Sequence, residues 1–100
     1  MKIVIESIEI NLTDRHKEYI KQQLKKYFGK QDYITGIDVY VKKASEKNED
    51  DHIVVAKVFL PGPELFAESE ANTYEKALNE TIEKLRRQLE KYKEKHFSHR

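Results

Sequence analysis

Four cations in the last third of the chain, Lys84, Arg87, Lys91 and Lys95, recur at spacings of three, four and four. On a helix they fall within an arc of about 80°, roughly 140° from the centre of the apolar stripe Leu78, Ile82, Leu85, Leu89 and Tyr92. Gln88 lies at the edge of that arc. A row of long cationic side chains on a rigid helix can neutralise successive phosphates of a polyanion with no loop to order. A second set lies near the N-terminus. Lys26 and Lys30 stand at i, i+4, with Tyr19 and Gln23 on the same side, and Lys17, Lys21 and Lys25 form a further row. The bland alternative is a pair of solvated helix faces, with Glu80–Lys84, Arg87–Glu90 and Lys91–Glu94 as local ion pairs. Against it, residues 15–30 contain a single acid, Glu18.

Other chemistries find less support. His16 lies on an apolar stripe and reads as a partly buried core residue. His52 opens a strand beside an acidic loop, and His96 and His99 lie in a tail expected beyond the ordered helix. No pair has a convincing metal or acid–base spacing. Ser7, Ser45, Ser69 and Ser98 lack a nucleophile-elbow context. With Cys 0, disulfides, thiolate metal sites and a cysteine nucleophile are excluded. Neither GxGxxG nor GxxxxGK[ST] occurs. The expectation is therefore no enzyme, no catalytic or metal-binding residues, no cofactor and no small-molecule substrate.

The elements that must position the cations follow from length and pattern. The chain of 100 residues is 38% hydrophobic and 37% charged, with a net charge of +1. That length suits one domain with a small core. No apolar run approaches the ~18 residues of a membrane span, and Met1-Lys2-Ile3-Val4 leads directly into a strand pattern rather than a signal peptide. A reducing cytoplasm is the natural setting. The near-zero net charge conceals segregation. Residues 13–30 carry six basic and two acidic side chains, 31–83 carry five and twelve, and 84–100 carry seven and two. Two basic helices held side by side would present positive rows flanking one groove, suited to a polyanion.

Residues 2–10 read as a strand. Thr13 is an N-cap for a helix over 14–28, in which His16, Ile20, Leu24 and Tyr27 share a stripe and after which Gly29 is a C-cap. Residues 34–43, 52–60 and 64–71 are strands. The last two are joined by Leu60-Pro61-Gly62-Pro63, a type II turn with Gly62 at the positive-φ position. Residues 44–51 form a polar loop. Asn72 or Thr73 opens the last helix, which runs to about Lys95. The order β-α-β-β-β-α predicts an α+β fold, a four-stranded sheet with two helices packed on one face. Residues 1–95 are its single domain and 96–100 a short basic tail.

Residues 82–95, Ile-Glu-Lys-Leu-Arg-Arg-Gln-Leu-Glu-Lys-Tyr-Lys-Glu-Lys, resemble the K-L-x-R-Q-L-x-K-x-K-x-K helix of the hibernation-promoting factor and ribosome-associated inhibitor (protein Y) family. Leu12-Thr13-Asp14 and Val39-Tyr40-Val41-Lys42 fit as well, and the likeness covers nearly the whole chain in element order. The resemblance implies a domain that occupies the messenger and tRNA channel of the small ribosomal subunit in the 70S ribosome. There it would contact ribosomal RNA and block translation in resting cells; some members pair ribosomes into inactive dimers. Carried over by position, Lys84, Arg87, Lys91 and Lys95 would contact RNA, with Lys26. The helical projection adds Lys30 and Gln88. Gln23 departs from the lysine common in the family, Asn79 from aspartate and Glu75 from tyrosine. The chain resembles the short type, monomeric off the ribosome and acting in the cytoplasm. The rival reading is a general double-stranded-RNA-binding or protein-interaction module.

Overall fold

The computed structural model describes residues 1–44 and 51–97. Its elements are β1 (Lys2–Ile8), α1 (Asp14–Phe28), β2 (Gly36–Lys43), β3 (His52–Phe59), β4 (Glu64–Ala71) and α2 (Tyr74–Phe97). The strands form one sheet in the order β1-β2-β3-β4. β1 and β2 are parallel, as a helical crossover between them requires. β2 with β3 and β3 with β4 are antiparallel. This is the α+β architecture expected from the periodicities.

Local signals account for most boundaries. The Thr13 hydroxyl accepts from the His16 backbone N–H at 3.3 Å, while His16 Nδ1 accepts from the Thr13 N–H at 3.2 Å. Each thus satisfies an amide that the first turn of a helix leaves without an intrahelical partner. His16 is therefore a capping residue more than a core one. The Thr73 hydroxyl accepts from the Lys76 N–H at 3.2 Å and opens α2. Gly62 has φ 98°, and the Leu60 N–H donates to the Pro63 carbonyl at 3.2 Å, closing the β3–β4 turn. The strand expected over 2–10 stops at Ile8, because Glu9 adopts φ 59° and turns the chain away. The helix expected to end near Lys95 continues to Phe97, so His96 belongs to α2. Residues 45–50 of the acidic loop and 98–100 of the tail lie outside the described residues.

One face of the sheet is covered. Ile37, Val39, Val41, Val54, Ala56 and Val58 point to the helices and are buried, as are Ile20, Leu24 and Phe28 of α1 and Leu78, Ile82, Leu85 and Leu89 of α2. α2 packs over β3 and β4. Thr81, fully buried, has its hydroxyl 2.8 Å from the Ala77 carbonyl and 3.1 Å from that of Val54. It ties α2 to β3 while satisfying its own polar group, as a buried hydroxyl must.

Candidate nucleic-acid interface

The two helices lie side by side and run in the same direction. The His16 and Tyr19 rings meet Tyr74 edge-on at 5.1 and 5.9 Å, and further along Arg86 sits 5.1 Å over the Tyr27 ring. α1 ends at Phe28, close to the level of Arg86, whereas α2 continues to Phe97. The distal part of α2 therefore overhangs α1 by about three turns. Tyr33, just after α1, stacks on Tyr92 at 5.9 Å and 29° and supports this overhang. Burial first, then charge interaction with Tyr92 and Glu90, pushes the Tyr33 hydroxyl above its ordinary pKa.

The candidate residues separate into four groups. Lys84 and Gln88 point to the outer edge of the sheet. Lys84 Nζ donates to the Glu68 carbonyl at 2.7 Å. Gln88 Nε2 donates to the Phe66 carbonyl at 2.7 Å, and its Oε1 accepts from the Phe66 N–H at 3.2 Å. β4 is an edge strand, so these side chains satisfy backbone groups that would otherwise be open to another strand. Lys26 and Lys30 lie on the opposite flank of α2, toward α1. Lys26 Nζ is 5.4 Å from the Tyr27 ring that also receives Arg86, and Lys30 is exposed just past the helix end. Arg87 lies between these flanks. It is paired with Glu83 at 3.8 Å, which also holds Arg86 at 3.3 Å. Lys91 and Lys95 are exposed on the overhang and form no ion pair within 4.0 Å among the described residues.

The expectation of basic rows flanking one groove is corrected here. The body of α2 lies between the Lys84–Lys91–Lys95 strip and the Lys26–Lys30 set, with Glu80, Glu83, Glu90 and Glu94 along its crest by helical projection. The reason is the strand order: β4 occupies one flank of α2 and α1 the other. The expected local pairs also differ. Among the described residues the observed ones are Glu83 with Arg86 and Arg87, and Glu90 with Lys93. Arg86 is the residue that reasoning from the sequence passed over; its only signal was a cation near the apolar stripe, with nothing to indicate Tyr27 as its partner. Acids gather on the uncovered sheet face, where Glu64, Glu68 and Glu70 of β4 are exposed beside Phe66. On the same face Glu6 raises the Tyr40 pKa, chiefly by its charge. A polyanion thus meets attraction from the helix layer and repulsion from the sheet face. Among the described residues no cluster of three or more His, Asp or Glu side chains could hold a metal ion, and no helix is long and apolar enough to cross a membrane.

Comparison with known proteins gives a consistent picture. A ribosome hibernation promoting factor from Acinetobacter guillouiae is 30% identical over 99 residues, covering 93% of this chain and 88% of that protein. A ribosome hibernation promotion factor from Picosynechococcus is 29% identical over 101 residues, and the match covers 97% of this chain but only 51% of that longer protein. Among solved structures, a ribosomal subunit interface protein from Coxiella burnetii superposes with a TM-score of 0.82 at 27% identity, covering 93% of this chain and 98% of its own. The N-terminal domain of Thermus thermophilus Protein Y shares the fold, with a TM-score of 0.78 at 20% identity over 92% of this chain and 99% of its own. Residues 3–96, which reach from β1 to the last turn of α2, match the family described as Sigma 54 modulation protein / S30EA ribosomal protein, and the chain belongs to that family.

Proposed function

We propose that this protein is a ribosome hibernation factor that acts in the cytoplasm of resting cells. It binds the small ribosomal subunit in the channel used by messenger RNA and tRNA, alone or within the 70S ribosome, and inhibits translation by occupying that space. The observation that carries this reading is the exposed pair Lys91 and Lys95 on the α2 overhang, in line with Lys84, in a chain whose relatives are hibernation factors. The contacts are to phosphates and read RNA shape rather than base sequence. Arg87, Lys26, Lys30 and Gln88 border the same helix layer and complete the proposed interface. Residues 1–95 supply this binding domain, which stays monomeric off the ribosome. Steric exclusion needs neither catalysis nor a cofactor.

Two measurements test the proposal. Co-sedimentation with small subunits should weaken with salt, with a log–log slope of roughly −3.5 to −4.5 for about five phosphate contacts. A slope near zero would falsify phosphate-driven binding. Inhibition of translation in vitro should need about one protein per ribosome, be reversible, and be relieved by preloaded message and initiator tRNA. Inhibition far below that ratio, or covalently altered ribosomes, would instead demand an enzyme. Sucrose gradients of the same mixtures read out ribosome pairing.

A further inference from the structure

The overhang of α2 does more than carry lysines. Between its last turns and the β3–β4 turn lies a cleft of ≈ 690 Å³, lined by Pro63, Leu65, Gln88, Lys91, Tyr92, Glu94 and Lys95. That volume falls within the range of about 300–1,000 Å³ typical of small-ligand sites. Its floor is apolar, and its rim carries Lys91 and Lys95 together with Glu94. We propose that this cleft takes one unpaired nucleotide of RNA, with the base against Leu65, Pro63 and Tyr92 and its phosphate on Lys91 and Lys95. The inference rests on the RNA reading of the same helix and names the part of the RNA that the distal turns recognise.

Three observations support it. First, the walls are preorganised. Gln88 is held by both of its bonds to Phe66, Tyr92 is backed by the Tyr33 ring, and the positive φ of Gly62 sets the turn that places Pro63 at the rim. Ordering these walls costs little at the moment of binding. Second, the two halves of the site match the two halves of a nucleotide. A base offers a flat apolar face, while its phosphate needs cations, and Lys91 and Lys95 lie one helical turn apart on the same rim. Third, the geometry discriminates. Duplex RNA keeps its bases stacked and presents phosphates and sugars, so it can use the lysines but not the floor.

The test compares a short single-stranded RNA with the duplex of the same sequence, using the full chain. At equal numbers of phosphates contacted, single strands should bind about tenfold more tightly, as expected when one base gains a packing surface. In NMR spectra the Leu65 methyl resonances should shift under the ring current of the bound base with the single strand and stay in place with the duplex. Pro63→Ser should weaken only the single strand, whereas Lys91→Gln with Lys95→Gln should weaken both. If the lysine replacements weaken both RNAs but the Leu65 methyls do not move and no strand preference exists, the cleft proposal is wrong and phosphate binding stands. If the lysine replacements change neither affinity, the RNA reading of this helix fails and the cleft proposal fails with it.

Discussion

Lys84 and Gln88 occupy the same helical strip as Lys91 and Lys95, yet their surroundings differ. The proximal pair is engaged with the backbone of β4, through bonds to Glu68 and Phe66. The distal pair extends past the end of α1 and makes no ion pair among the described residues. Position on a helix is therefore a poor guide to role when the helix borders a sheet edge over only part of its length. The proximal residues bond the backbone of the sheet edge, and the distal ones are exposed on the overhang. A phosphate approaching Lys84 must compete with the Glu68 carbonyl.

The largest expected effect is on the core that both segments share. Leu85→Ala should destabilise the protein by about 2–5 kcal/mol, since the side chain is fully buried between the helix and the sheet. Urea denaturation measures it, and a loss below ~1 kcal/mol would show that the helix is less firmly seated than its burial implies.

Next, Gln88→Ala should cost about 1–2 kcal/mol through its two lost hydrogen bonds, well above the ~0.5 kcal/mol usual for surface substitutions. It also opens the β4 edge, so sedimentation velocity should show concentration-dependent self-association. A monomer of unchanged stability would erase the contrast between proximal and distal segments. Lys91→Gln with Lys95→Gln should shift stability by no more than ~0.5 kcal/mol. It should also reduce the magnitude of the salt slope for subunit binding by about two. An early thermal transition in that variant would mean that the overhang depends on these lysines for its structure.

The smallest effect is alkaline. Tyr33 and Tyr74 have raised pKa values, each chiefly through burial, with Tyr92 and Glu90 adding to the first and Glu75 and Tyr19 to the second. The fold therefore favours the neutral phenols. Their contribution is fully present below the ordinary tyrosine pKa of about 10 and is lost as pH rises through the higher folded values. Urea midpoints should fall in that window, and less steeply in Tyr33→Phe. Equal pH profiles for the variant and the parent would mean that the fold does not favour the neutral Tyr33 phenol.

Much of this molecule was legible without coordinates where the physics is local. The Thr13 cap, the Gly62 turn and the apolar stripe of α2 each depend on residues within a few positions of one another, and each lies where the pattern predicts. The capping role of His16, which is half-buried as its stripe position predicts, is hidden because that spacing fits a core stripe as well as the third position of a capping box, and only the backbone at Thr13 distinguishes them. The end of β1 depended on the φ of Glu9, a residue type that carries no strong signal for that conformation.

By itself the amino-acid sequence determined which residues lie at which angle around α1 and α2, that the helices are basic and the middle of the chain acidic, and that each helix has one face to bury. Only the tertiary structure decided what each angle looks out upon. The strand order places β4 beside Lys84 and Gln88, and α1 beside Arg86; the different lengths of the helices leave Lys91 and Lys95 projecting. The physical reason is that periodicity is a property of one element, whereas a neighbour is set by pairings between residues far apart in the chain. Lys84 meets Glu68 across 16 positions and Gln88 meets Phe66 across 22, distances over which no local pattern carries information.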